Sequence, residues 1–342
     1  MDALDTNTLL GVKVQQDTFE AFFLKMFFPN VVTFADKKIS FDKIRKGVRL
    51  APFVAPMESG KPRRAQGGAT TSFEPAYVKP TDVVEAGRLI KRLPGEVIAG
   101  QLSPAQRRNA IIGDILQDQE QSIVHTEEWL AVQAVVHGQV VIEAEDYPAQ
   151  LVDYERSASN QIVLSGAAKW DTVDPETYDP TDDMESWAEN ATGNAEVCIM
   201  SDESWRKFRK FKQVREYLKL DVANGEADLM LTPDIRKNVQ YKGRFGAFFI
   251  YVYKGAYDHP ETGVKTRFMP ADYIVFGPSG ADEVLAYGGI QDAKANAQGI
   301  AEATRYPSNF FTENPSVEWL QTQAAPLPVI FDANAYVAVK TQ

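Results

Sequence analysis

The chain has 342 residues, 44% of them hydrophobic and 24% charged, with a formal net charge of −11. That length allows one large or two medium domains, and that balance belongs to a globular rather than a disordered chain. The acidic excess argues against general nucleic-acid binding, which needs clustered Lys and Arg on phosphates. Cys198 is the only cysteine, so an intrachain disulfide and multi-cysteine zinc sites are excluded, and a reducing compartment is expected. His125, His137 and His259 are the only imidazoles, and each reads as structural. No apolar run is long enough to cross a bilayer. The start, Met1-Asp2-Ala3-Leu4-Asp5, lacks the basic and apolar regions of a signal peptide.

Residues 1–42 read as an arm with one amphipathic patch. Asp17 is placed to cap a short helix carrying Phe19, Phe22, Phe23, Met26 and Phe27, which Phe28-Pro29 ends. So many phenylalanines in so short a helix must be covered, either by the chain's own domain or by a neighbouring subunit.

Residues 43–100 carry Pro52, Pro56, Pro62, Pro75, Pro80 and Pro94 and show no sustained helical period. Leu50, Phe53 and Val54, then Phe73, Tyr77 and Val78, suggest two strands of a long hairpin with its tip near residues 60–68. Lys43, Arg45, Lys46, Arg49, Lys61, Arg63 and Arg64 face only Glu58, a basic island in an acidic chain. Gly67 and Gly68 would let the loop bend or lie close against another chain. An extended arm and loop of this kind suit a subunit that needs neighbours to cover it.

A spine helix is expected from Pro104 to His137. Ser103 is its N-cap, Pro104 occupies the first position, Gln106 completes a capping box, and Gly138 is the C-terminal stop. Ile112, Leu116, Ile123, Leu130 and Ala134 mark its apolar stripe, and its length would approach ~50 Å. A hairpin follows, with strands over 140–144 and 149–154 and a turn at Glu145-Asp146. The stretch 171–189 is acidic throughout, with Pro175 and Pro180 keeping its first half irregular. From about residue 194 a mixed α/β pattern begins. It has a strand over 196–200, a helix over 202–219 capped by Ser201, and strands over 245–253, 273–276 and 284–287. Strands over 317–323, 329–331 and 336–340 close the chain.

Chemistry-bearing motifs are sparse. Asp179, Asp182 and Asp183 are hard-ion donors, but their spacing matches no calcium loop and the turn glycine is missing, so no metal or cofactor is assigned. The helix over 202–219 carries Arg206, Lys207, Arg209, Lys210, Lys212 and Arg215 on a face opposite Trp205, Phe208, Phe211, Val214 and Leu218. That pattern is favoured as a core helix with a charged outer face over a nucleic-acid helix. No nucleophile elbow, P-loop or dinucleotide fingerprint is present. Cys198 sits inside an apolar strand, where a thiol is inert. No catalytic residue is nominated, and the chain does not read as an enzyme.

Taken in order, a set of short motifs resembles the major capsid proteins of lambda-like tailed bacteriophages. They are Phe23-Leu24-Lys25-Met26-Phe27-Phe28; Gly67-Gly68-Ala69-Thr70; Phe73, Pro75 and Tyr77-Val78-Lys79-Pro80; Arg92-Leu93-Pro94; and Arg107-Arg108. Tyr178-Asp179-Pro180-Thr181-Asp182-Asp183, Tyr241-Lys242-Gly243, Ile290-Gln291-Asp292-Ala293, Arg305-Tyr306-Pro307 and Gln323-Ala324-Ala325-Pro326-Leu327 continue the series. Each is weak alone, and together they run almost end to end.

The resemblance implies the α+β fold of tailed-phage and herpesvirus capsid proteins. Its parts would be an N-terminal arm (1–42), an extended loop with its flanks (43–100), and a peripheral domain with spine helix and hairpin (101–154). An axial domain (155–315) and C-terminal strands returning to the peripheral and axial domains (316–342) complete it. It implies hexamers and pentamers that form an icosahedral procapsid and expand on packaging of double-stranded DNA, which the shell contacts without specific binding. It implies a portal, a maturation protease and a decoration protein as partners, assembly in the host cytoplasm, and a place in the virion without a membrane. The arm begins within the first residues, so the scaffolding protein is expected to be a separate chain. Proposed inter-subunit contacts join Lys43, Arg45, Lys46, Arg49, Arg63, Arg64, Gly67 and Gly68 of one subunit to acidic surface of the next. That surface is the spine-helix residues Asp114, Asp118, Glu120, Glu127 and Glu128, and Asp179, Asp182 and Asp183. The alternatives are a cellular nanocompartment shell of the same fold and an acidic metal-dependent hydrolase using the carboxylates near Asp179.

Overall fold

A computed structural model describes residues 19–44, 68–85, 103–144, 147–216, 238–314 and 316–342. The spine helix, α2 (Pro104–His137), forms as its end signals dictate. Ser103 Oγ accepts the Gln106 N–H, the Gln106 side chain takes the Ser103 N–H, and Gly138 closes the helix in the left-handed region at φ +67°. Ile123, Leu130 and Ala134 are buried as expected, but in its first half the buried stripe is displaced by one residue. Ile111, Ile115 and Gln119 face inward in its first half, while Ile112 and Leu116 are only half-buried. Both series have i, i+4 spacing, and the sheet beneath decides between them. From Leu130 to Val136 the helix is buried almost all round.

The arm gives helix α1 (Phe22–Phe27). It starts later than expected, with Ala21 at the cap and no side-chain cap of its own; Asp17 lies outside the described residues. Phe22, Phe23 and Phe27 are buried in the core that α2 shares, Phe22 and Phe23 against Tyr253 and Phe27 against Tyr336 of the same chain. Strand β1 (Asn30–Thr33) then runs parallel to β14 (Val284–Tyr287), whose other neighbour is β17 (Pro326–Val329), antiparallel. The strand expected over 329–331 is thus shifted toward the N-terminus. Pro326 and Pro328 fit because β17 is an edge strand, where a missing N–H costs no ladder bond.

A two-stranded ribbon is described where the hairpin was expected, with strands that lie earlier than expected, while its tip near 60–68 falls largely outside the described residues. Strand β2 (Ile39–Ile44) pairs antiparallel with β3 (Gly68–Phe73), from Ile39↔Phe73 to Ile44↔Gly68. Leu50, Phe53 and Val54 lie outside the described residues. Val78 instead bridges Ala324. Strand β4 (Thr81–Val84) joins β16 (Ser316–Gln323), which also pairs with β15 (Tyr306–Glu313). Val84, Leu320, Ile111 and Ile115 form the small core between this sheet and the first half of α2. The hairpin β5 (Gln139–Ala144) and β6 (Tyr147–Asp153) follows α2 as expected.

A six-stranded sheet centres the second half, in the order β7-β18-β13-β8-β10-β9. Its strands are β7 (Gln161–Val163), β8 (Val197–Ser201), β9 (Val239–Phe245), β10 (Phe248–Tyr253), β13 (Tyr273–Gly277) and β18 (Val337–Lys340). The single strand expected over 245–253 is two strands of a hairpin, because Gly246 at φ +58° turns the chain between Phe245 and Phe248. The alternation of β8 explains the layering. Val197 and Ile199 enter the core shared with α1 and α2, while Cys198 and Met200 enter a second core with Trp170, Trp187, Phe211 and Phe276.

Helices α3 (Pro180–Ala188) and α4 (Asp202–Phe208) contribute Met184, Trp187 and Phe208 to the second core. α4 is capped by Ser201 as expected but ends at Phe208. The chain turns at Arg209–Phe211 before a helical stretch over 212–216, so that Phe208, Phe211 and Val214 all reach the core. A small ribbon, β11 (Ala256–Asp258) with β12 (Lys265–Arg267), and helix α5 (Ala293–Ala297) complete the described elements.

Candidate inter-subunit surface

The spine helix sorts its carboxylates by phase. Asp114 and Asp118 are exposed on its outward side. One turn inward the polar groups are consumed within the chain. Gln119, 1% exposed, donates to Asp82 at 2.8 Å and to the Leu320 carbonyl at 3.0 Å, and accepts from the Thr322 hydroxyl at 2.7 Å. Arg108 grips the buried Glu318 through Nε at 3.0 Å and a terminal nitrogen at 2.5 Å, and so holds its carboxyl below the usual carboxylate range. These contacts rivet the first half of α2 to β16 and β4.

Two acidic residues expected at a neighbour's surface are buried instead. Glu127 accepts the Tyr287 hydroxyl at 2.7 Å and pairs with Arg305 at 2.7 Å. Glu120 pairs with the same guanidinium at 2.9 Å. Glu128 is 0% exposed and accepts the backbone N–H groups of Phe23 and Leu24. Glu127 thus has its cation within the chain, and the carboxyl of Glu128 is met by backbone donors of the arm.

At the end of α2 another buried group acts. Arg156 donates to the carbonyls of Ala134 at 3.1 Å, Val136 at 3.3 Å and Ala333 at 3.1 Å. It satisfies last-turn carbonyls of the helix and places a cation at the negative end of its dipole. Burial pulls its guanidinium down to about 10. The roles of Gln119, Arg156 and Arg305 were not legible in the sequence, although Arg305 stands in one of the quoted motifs, since most of their partners lie far along the chain and leave no local spacing.

The acidic stretch is used locally. Asp179 caps α3 by accepting the Thr181 N–H at 2.9 Å, Asp183 accepts the Tyr178 hydroxyl, and Asp182 is exposed in the first turn. Burial pushes the Asp183 carboxyl up. Among the described residues no three potential metal ligands converge. Four cations over 206–215 have carboxylate partners in the chain: Arg206 with Asp202, Lys207 with Asp272, Lys212 with Glu216 and Arg215 with Glu176. Of the basic loop, Lys43 lies on β2 opposite Ala69, and Gly68 opens β3. Arg45, Lys46, Arg49, Lys61, Arg63, Arg64 and Gly67 fall outside the described residues.

A spine helix riding over sheets, with an arm helix packed against it and the two-stranded ribbon β2–β3 beside them, is the fold of tailed-phage capsid subunits. A solved structure described as a putative capsid protein of a prophage of E. coli CFT073 matches it with a TM-score of 0.75 at 29% identity, covering 98% of this chain and 97% of that one. The capsid of the myophage XM1 shares the fold, with a TM-score of 0.51 at 9% identity over 97% of this chain and 95% of that one. The sequence narrows the class. Residues 5–341 match the family described as Phage major capsid protein E, and the chain belongs to that family. The major capsid proteins of Escherichia phages lambda and N15 are each 38% identical over 343 residues, covering 99% of both chains. That of Enterobacteria phage P21 is 36% identical over 345 residues. The chain is therefore a structural head protein of the virion, of the kind that builds a shell from many copies. The lambda-like resemblance and the α+β capsid fold expected from the motifs are both borne out.

Proposed function

We propose that the chain assembles as hexamers and pentamers into an icosahedral procapsid, which expands as double-stranded DNA is packaged. The observation that carries this is the family match, unbroken from residue 5 to residue 341, on a chain with the capsid fold. A separate scaffolding protein, a portal, a maturation protease and a decoration protein are its partners in this reading, and assembly takes place in the host cytoplasm. Packaged DNA is contained rather than bound specifically, in keeping with a net charge of −11. The arm (1–42), loop (43–100), peripheral part (101–154), axial part (155–315) and returning strands (316–342) divide the labour, with β15 pairing to β16 across the last boundary.

Between subunits, the basic loop from Lys43 to Arg64 lies on the exposed Asp114 and Asp118 of a neighbour, and on the 179–183 segment around Asp182. Exposure of those three carboxylates supports this. Each such pair contributes only ~0–1 kcal/mol, so the network acts by repetition and is salt-sensitive. Gly67 and Gly68 let the loop backbone approach its neighbour.

The test is expression with and without the scaffolding protein, with negative-stain electron microscopy of the soluble fraction. Closed icosahedral particles are expected. Uniform monomers under both conditions, with no sheets, tubes or shells, would overturn the assembly reading.

A further inference from the structure

The arm helix α1 begins without a side-chain cap of its own, and its first N–H groups are instead taken by a residue more than a hundred positions away. Glu128 Oε1 accepts the Phe23 N–H at 3.0 Å and the Tyr253 hydroxyl at 2.8 Å, and Oε2 accepts the Leu24 N–H at 3.1 Å. The Phe22 N–H also bears on this carboxyl. Around it Phe22 and Phe23 pack on Tyr253 and Phe27 on Tyr336, so the carboxyl sits in a largely aromatic seat. The titratable and charged groups on the surrounding elements are engaged elsewhere. On α2, Glu127 pairs with Arg305 and His125 packs edge-on to Phe19. On the arm, Lys25 pairs with Glu20; after β10, Lys254 pairs with Asp202; on β11, Asp258 acts on His125. Among the described residues no cation pairs with Glu128.

We propose that Glu128 is a proton-operated latch on the N-terminal arm, seating α1 while its carboxyl is protonated and releasing it when ionisation draws the group toward water. The protonated carboxyl keeps lone pairs that still accept the backbone N–H groups, so the arm stays seated on the neutral form. Burial pushes the carboxyl up to about 7, against the opposing pull of its donors. The seated arm therefore binds the proton more tightly than the lifted arm, in which Glu128 is hydrated. Seating is strongest below the ordinary carboxylate pKa and weakens as pH rises through about 7. This goes beyond the assembly reading and is tested on the unassembled subunit.

Hydrogen exchange at the amides of residues 22–24 in the full-length subunit, corrected for intrinsic rates, reads the latch directly. Protection should fall about tenfold between about pH 6 and about pH 8.5, while protection of the buried spine residues 130–136 holds. E128Q, neutral at every pH, should abolish that dependence. Y253F removes a donor that favours the ionised form and should move the midpoint to higher pH; it decides the matter if E128Q does not fold. A flat wild-type profile, an unchanged dependence in E128Q, an unmoved midpoint in Y253F, or loss of protection spreading along the spine would each overturn the proposal.

Discussion

Gly138→Ala is a sharp test of how the spine helix ends. Gly138 stands at φ +67° and ψ 12°, and its N–H reaches the Ala134 carbonyl. A left-handed non-glycine residue costs about 1–2 kcal/mol. Here a methyl group would also meet Arg156 Cβ at 2.9 Å, Arg156 Nε at 3.0 Å and Gln161 Nε2 at 3.0 Å. Arg156 cannot yield without disturbing its three bonds to the Ala134, Val136 and Ala333 carbonyls. Hydrogen bonds to a charged group contribute roughly 1.5–3 kcal/mol each, so losing one brings the total to roughly 2.5–5 kcal/mol. Gly280 supplies the control. It also has positive φ, at +75°, but a methyl group there meets nothing within 4 Å. Gly280→Ala should cost only the conformational share, about 1–2 kcal/mol. Urea unfolding of the soluble subunit, followed by tryptophan fluorescence, measures both. Equal losses in the two variants would refute the claim that Arg156 crowds and closes the helix end.

Arg305→Met should destabilise the subunit by about 3–5 kcal/mol, because it strands the buried Glu127 without a cation. Adding Glu127→Leu should recover much of that loss in the same unfolding assay; no recovery would mean the pair is not the cause. Arg108→Ala should cost about 1–3 kcal/mol at neutral pH. Because Arg108 depresses the Glu318 carboxyl, the stability it contributes is present above the ordinary carboxylate pKa and is lost as pH falls through the depressed value. The variant should therefore show a shallower loss of stability in acid, and an unchanged acid slope would contradict this. Reversing Arg63 and Arg64 to Glu should lower shell yield and salt tolerance while leaving the soluble subunit folded. Normal yield with unchanged salt tolerance would remove the basic loop from the interface.

The spine helix was legible to the residue because its signals are local. Ser103, Pro104, Gln106 and Gly138 each act within one turn of their own position. The strands over 139–144, 197–201, 273–277 and 316–323 were legible through alternation or unbroken apolar runs. Elements chosen by their surroundings were not. The phase of the spine stripe depended on the β4–β16 sheet below it, and Phe208 and Phe211 ended α4 early because both pack about Trp170. The strand expected over 329–331 lies instead over Pro326–Val329, where its two prolines are accommodated by its place at the edge of the sheet.

The sequence by itself determined the family, the capsid class and the framework of arm, ribbon and spine helix, since these rest on motifs kept in order and on caps that act locally. Only the tertiary structure decided which charges face outward. Asp114, Asp118, Glu127 and Glu128 look alike along one helix. Yet the first pair meets solvent, while the second pair is sealed beneath Arg305, Tyr287 and the arm helix. A carboxylate's role follows from its desolvation and its partners, and both are set by residues more than a hundred positions away.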